Sequence, residues 1–274
     1  MSRPLTTSRG PFRADQIRPG DPYELSNGHA VHCMGTGGRG SRANLLGGSV
    51  LDSDPGVEEA GVDTGYSPSP DTLRAPDVAV GNVPDAPGWV EGAPLLAVEY
   101  ADTGSWAPLR GDGQDEKELE TKISELFAAG TKLVWVVRLV GPRRVEVYES
   151  GKEKRLVHPG EDLVAPGTLR NPVPVEALYD RRAAHEVTLR NLLQRQGYRD
   201  LEQVRGEGRE QGREETLRAA VVAVLKARGF TVDDAIHAAL DACRDSQTLQ
   251  LWLTRAATTR TPAQVFIQAG SPER

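Results

Sequence analysis

The sequence predicts an α/β (α+β) protein: a core of mixed β-sheet flanked by helices, followed by a C-terminal helical appendage. Three observations carry this. The runs LLAVEY (95–100), KLVWVVRL (132–139) and RVEVYES (144–150) are strand-length and rich in β-branched and aromatic residues. A segment with helical spacing of apolar residues lies between the first two. From about 183 to 258 the pattern is helical almost throughout. The 274 residues, 38% hydrophobic and 26% charged, suffice for one sizeable core and a smaller extension.

Taken in order, residues 1–20 mix Arg, Pro, Ser and Thr without apolar periodicity and read as a flexible leader. The main domain is expected over 21–182. Its stretch 34–92, rich in Gly, Pro, Asp and Ser, reads as loop-heavy, with short apolar patches such as NLLGGSVL (44–51) and DVAV (77–80). Beyond it, DEKELETKISELFAAG carries Leu119, Ile123, Leu126 and Phe127 on one helical face and ends in Gly130 as a C-cap. The strands 132–139 and 144–150 are separated by Val140, Gly141, Pro142 and Arg143, a short turn that makes them an antiparallel hairpin. The Pro-rich NPVPVEAL then closes the sheet region, and 183–274 forms the helical extension. Within it VRGEGREQGREE (204–215) reads as an exposed helix or a linker, because each helix-interior Gly costs about 1 kcal/mol relative to Ala. Three short amphipathic helices follow.

No run approaches the roughly 20 apolar residues of a membrane span, and the N-terminus has no apolar signal region, so a cytoplasmic protein is expected. Cys33 and Cys243 fit neither a disulfide framework nor a metal-ligand spacing. The net charge of −6 is unevenly placed: residues 181–274 hold 15 Lys plus Arg against 12 Asp plus Glu, leaving 18 against 27 before them. An acidic front and a slightly basic tail argue against strong non-specific DNA binding by the front part alone.

Metal-assisted phosphodiester hydrolysis needs carboxylates to hold the cation and a positive group near the attacking water and the developing phosphorane charge. Asp77 opens a short apolar strand after Pro76, and Glu99 interrupts an apolar run at a strand end. Lys122 lies three residues after Leu119 and four before Leu126, so it projects from the apolar face of its helix, where a charge without a partner is expensive. Gly35, Gly37 and Gly40 satisfy GxGxxG but lack a βαβ unit around them, and read as a flexible loop. His29, His32 and Cys33 have no further ligand cluster at zinc-site spacing and read as strand residues.

The segments YELSNG (23–28), RAPDVAV (74–80), LLAVEYADTG (95–104), ELETKISELFAAG (118–130) and VWVVRLVGPRRVEVYES (134–150) resemble the Uma-type restriction-endonuclease family of the PD-(D/E)XK nuclease superfamily. The resemblance covers most of 21–165. It implies a restriction-endonuclease-like core, Asp77 and Glu99 as ligands of Mg²⁺ (or Mn²⁺), Lys122 as the catalytic lysine moved onto the helix, and Glu24 as an accessory acid. The position two after the glutamate, where the superfamily pattern has lysine, is Ala101 here, and Arg42 falls where the family often has His in an early helix.

The expected function is a metal-dependent endonuclease acting on DNA. Affinity would come from the metal, a homodimer groove, the tail, or basic residues of the hairpin side: Arg143, Arg144, Lys152, Lys154 and Arg155. The alternative is a non-catalytic nuclease-like binding or assembly module whose helical tail mediates self-association.

Overall fold

The computed structural model describes residues 10–33, 35–101 and 112–267. The chain divides into two compact units, residues 1–197 and 198–274.

The first unit holds twelve strands and three α-helices among its described residues. Tyr23–Ser26 (β1) and His29–His32 (β2) form a hairpin across Asn27 and Gly28, both at positive φ, as a two-residue primed turn requires. They pair with Thr72–Arg74 (β5) and Tyr66–Ser69 (β4) in a four-stranded sheet ordered β2-β1-β5-β4. The larger sheet contains Ala60–Val62 (β3), Val78–Val80 (β6), Leu96–Ala101 (β7), Leu133–Arg138 (β8), Arg144–Glu149 (β9) and Arg155–Val157 (β10). Its order is β10-β9-β8-β7-β6-β3, antiparallel throughout except for the parallel pair β7–β8. A parallel pair needs a crossover, and the helix Asp112–Ala129 (α2) supplies it. A small ladder of Asp162–Leu163 (β11) and Val173–Pro174 (β12) follows.

The faces of the large sheet are buried differently. On one, Val78, Val80, Leu96, Val98, Trp135, Val137, Val145 and Val147 pack with Ala43, Leu46, Val50 and Leu51 of the helix Gly38–Asp52 (α1) and with Ala184 and Val187 of the helix Arg181–Arg195 (α3). On the other, Ala97, Val134 and Val136 meet Ile123 and Leu126 of α2.

The mixed sheet with flanking helices is the architecture expected from sequence, and β7, α2, β8 and the β8–β9 hairpin fall where the patterns put them. Three segments differ. The stretch 34–92 contains α1, whose Ala43, Leu46, Val50 and Leu51 do follow helical spacing but are diluted by four glycines. Residues expected in a flexible leader pack: Ala14 and Ile17 are buried with Leu25 and Leu73, and Trp89 Nε1 donates to the carbonyls of both. Residues 1–9 lie outside the described ones, as do Asp102 and the two residues after it. Finally, the compact unit runs on to Gly197 rather than ending at 182, because α3 docks on α1. Arg195 donates to the carbonyls of Asp52, Ser53, Asp54 and Val57, and buried Asn191 donates to Val50 O and Ser53 Oγ.

The second unit is built from Leu201–Ala227 (α4), Asp234–Ala242 (α5) and Ser246–Thr258 (α6). Asp200, Asp233 and Asp245 cap the three helix starts. Leu217, Val221 and Leu225 of α4 enclose a small core with Leu240, Leu249, Ala256 and Val265. The Arg-, Glu- and Gly-rich run is a continuous, mostly exposed part of α4 and not a linker. No helix among the described residues is long and apolar enough to cross a membrane.

Candidate active site

The site begins with the β6–β7 register. Val78 faces Val98, so one step back along β6 sets Asp77 opposite Glu99. Since side chains alternate along a strand, Val78 and Val98 enter the core on the α1 side, whereas Glu99 follows Ala97 to the α2 side. Asp77 is fixed at both oxygens: Oδ2 accepts from the Tyr100 backbone N–H (2.6 Å) and Oδ1 from Asn44 Nδ2 of α1 (3.1 Å). Tyr100 is itself anchored through its hydroxyl, which donates to Leu178 O (3.0 Å), and its phenol fills the space a side chain at Gly47 would need.

Lys122 arrives from α2 and donates a hydrogen bond to Ala75 O, with Glu99 and Glu24 as ion-pair partners. Its Nζ lies 2.8 Å from Glu99 Oε1, 3.0 Å from Glu24 Oε1 and 2.8 Å from Ala75 O. Glu24 comes from β1, and its other oxygen accepts from Arg74 Nη1 of β5 (2.9 Å). Arg74 Nε then meets Glu125 Oε2 (2.5 Å), and Glu125 Oε1 accepts from Ser26 Oγ (2.6 Å). Lys122 and Glu125, one turn apart on α2, thus lock that helix onto the smaller sheet by a buried alternation of charges.

The electrostatics follow from burial. Burial pushes the Glu99 carboxyl up to about 8; Lys122 opposes this, and the charges of Asp77 and Glu24 add to it. Burial works against the charge on Lys122 as well, but Glu24, Glu99 and Asp77 together raise its pKa, so it stays an ammonium. Glu24 is also penalised by burial, yet Lys122 and Arg74 hold it below the usual carboxylate range. Four carboxyl groups (Glu24, Asp77, Glu99 and Glu125) stand around two cations (Arg74 and Lys122), so acidic groups outnumber basic ones.

That surplus, together with an all-oxygen donor set at Asp77 and Glu99, fits a hard divalent cation, and Mg²⁺ commonly uses one or two carboxylates with water and phosphate completing its shell. Among the described residues no group of three or more His, Cys, Asp or Glu is arranged to hold a metal. The reason is visible at Glu24, both of whose oxygens are taken by Lys122, Arg74 and the Ala75 N–H.

Of the residues read from the sequence, Glu99, Lys122 and Glu24 share one ion-pair network, and Asp77 stands opposite Glu99 as an electrostatic neighbour of that network. Asn44, Arg74 and Glu125 were not anticipated. Glu125 could have been, since it follows Lys122 by three residues on the same helical face, and Arg74 stands three residues before Asp77. Of the other candidates, His32 packs edge-on against Tyr23, Cys243 is a free thiol in the second unit, and Cys33 is a free thiol near Glu24 and Lys122 whose pKa burial pushes up to about 11. Gly37 caps α1 and Gly40 is buried in its first turn. The hairpin-side cations are largely engaged: Arg144 and Lys154 with Glu146, Lys152 with Glu149, and Arg143 over the Tyr179 ring.

Among curated proteins none matches the chain. Among solved structures, it is similar to one described as a putative nuclease belonging to DUF820 from Anabaena variabilis ATCC 29413, with 18% identity over 62% of this chain and 98% of that one and a TM-score of 0.48. Residues 12–173, more than half of the chain and all four predicted site residues, match the family Uma2, described as "putative restriction endonuclease". The chain belongs to the Uma2 family.

Proposed function

We propose that the first unit is a metal-dependent endonuclease hydrolysing DNA phosphodiester bonds at Asp77, Glu99 and Lys122. Membership of a family described as "putative restriction endonuclease" supports both the reaction class and the substrate. The observation that carries the site is the contact of Lys122 with Glu99, opposite Asp77, inside a cluster where carboxyl groups outnumber cations. Asp77 and Glu99 hold Mg²⁺ or Mn²⁺, which when bound supplies Lewis-acid polarisation of the phosphate and a more acidic water. Asp77 is oriented by the Tyr100 and Asn44 donors. Lys122 remains a cation and donates towards the attacking water and the phosphate oxygens as negative charge develops there. Glu24, fixed by Arg74, keeps the ammonium in place. Duplex affinity is supplied by the cation and by a groove between two copies or the basic tail, which offset the acidic front.

The test is cleavage of supercoiled plasmid in Mg²⁺ or Mn²⁺. Activity that disappears on chelation and in Lys122→Ala and Glu99→Ala supports the proposal; activity undiminished in both variants overturns it. A second reading, a nuclease-like module that binds without cutting, is favoured by the engagement of Glu24, which leaves two carboxylates for a metal. Calorimetry separates the two, since the second reading predicts no Mn²⁺ binding that depends on Asp77.

A further inference from the structure

The amide of Asn44 has one side engaged and one side not. Its Nδ2 donates to Asp77 Oδ1 (3.1 Å), while its Oδ1 is buried and has no hydrogen-bond partner among the described residues. The orientation is dictated by chemistry, because turning the amide over would press its oxygen against a carboxylate oxygen. A buried carbonyl oxygen without a partner costs stability, of the same order as losing a hydrogen bond. At most positions sequence drift to Ser, Ala or Leu would remove that penalty. Here the oxygen sits at the far end of a planar amide whose other end touches a carboxylate proposed to hold a cation.

The helix that carries Asn44 is itself tied to the site. α1 packs on β6 and β7 through Ala43, Leu46, Val50 and Leu51, and Gly47, one turn after Asn44, leaves room for the phenol of Tyr100, whose backbone N–H holds the other oxygen of Asp77. Both Asp77 oxygens are thus positioned by donors linked to α1, and the unpartnered amide oxygen belongs to the same side chain that holds one of them.

We propose that Asn44 is a further residue of the cation site: the amide that donates to Asp77 offers its oxygen to the hydration shell of the divalent cation held by Asp77 and Glu99. The inference rests on the reading of Asp77 and Glu99 as a cation site. It gives Asn44 two tasks, orienting Asp77 through nitrogen and accepting a hydrogen bond from the hydrated cation through oxygen. Partners of this kind around a metal typically contribute about 10–100-fold to its affinity.

The experiment is Mn²⁺ binding by the full chain, followed by calorimetry and by the loss of the free-ion electron paramagnetic resonance signal, with thermal melting measured with and without Mn²⁺. Asn44→Leu, which removes both groups, is expected to weaken Mn²⁺ binding about tenfold or more. Asn44→Asp keeps the shape but sets an oxygen against Asp77; it is expected to melt below the wild type without Mn²⁺ and to gain more than the wild type when Mn²⁺ is added. That asymmetry distinguishes a cation ligand sphere from a purely structural amide, for which Asn44→Asp is destabilised with and without Mn²⁺ alike. Unchanged Mn²⁺ affinity in Asn44→Leu, with binding abolished in Asp77→Asn, overturns the inference and leaves the cation site standing. Absence of Mn²⁺ binding by the wild type overturns both.

Discussion

Replacing Arg74 by methionine tests the buried charge network at a member proposed to touch neither the cation nor the phosphate. Its side chain is 2% exposed and is held between Glu24 Oε2 at 2.9 Å and Glu125 Oε2 at 2.5 Å. Methionine approximates the aliphatic stem, so packing is nearly kept and the principal loss is the charge. Glu24, 8% exposed, then has only Lys122 as counter-charge, and Lys122 is shared with Glu99. Removing one partner of a buried pair costs about 3–5 kcal/mol, because an uncompensated charge is left behind. For a unit of this size that corresponds to a drop in melting temperature of roughly 6–20 °C. Scanning calorimetry of the full chain reads it directly, with the transition of the second unit as an internal reference where the two resolve. Combining Arg74→Met with Glu24→Gln should recover part of the loss, since the stranded charge is removed with its partner. A single variant that costs less than about 1 kcal/mol, the range of exposed pairs, would refute the claim that these ions are buried and mutually dependent.

Gly47→Ala should destabilise the first unit by about 1–3 kcal/mol, the usual range for overpacking, because the new methyl meets the Tyr100 hydroxyl; since Tyr100 also donates to Asp77, Mn²⁺ affinity should fall with it, and a variant melting like the wild type would contradict the packing. Without added cation, the first unit should lose stability as pH rises from the ordinary carboxylate range through about 8, because the folded chain keeps a proton on Glu99 that the unfolded chain releases. Glu99→Gln should flatten that dependence, and a melting temperature that rises across the same window in the wild type only would reverse the sign of the argument. For the same reason cation binding should release protons below pH 8, seen as a calorimetric heat that changes with the ionisation enthalpy of the buffer. In the second unit, Leu225→Ala removes a fully buried side chain from a small core and should cost about 2–5 kcal/mol, read as earlier exposure of 198–274 to protease.

The buried charge cluster was more legible in the sequence than parts of the scaffold around it. Lys122 could be found because a charge on an apolar helix face demands a buried partner, and the structure supplies Glu24 and Glu99. The strands β7, β8 and β9 were legible because both faces of the central sheet are buried, which makes their sequences near-continuous apolar runs. α1 was obscured because its composition answers to packing: Gly47 is small to admit Tyr100, and glycine lowers helix propensity whatever its reason for being there. α3 was not read as packing on the core because NPVPVEAL reads as a terminator, whereas Val173–Pro174 is β12 and Val175–Leu178 a short 3₁₀ turn that delivers α3 back onto the core. Asn44 was out of reach, since it acquires its meaning only from a carboxylate brought to it by another element.

The central claim, that Asp77 and Glu99 share one divalent cation beside Lys122, is tested most directly by anomalous diffraction from crystals soaked in Mn²⁺. The account predicts a single strong peak at coordination distance from both carboxylates, with the Lys122 ammonium adjacent to it and Glu24 still bound to Arg74. A well-ordered site without a peak there, or Mn²⁺ bound only elsewhere on the chain, would contradict it.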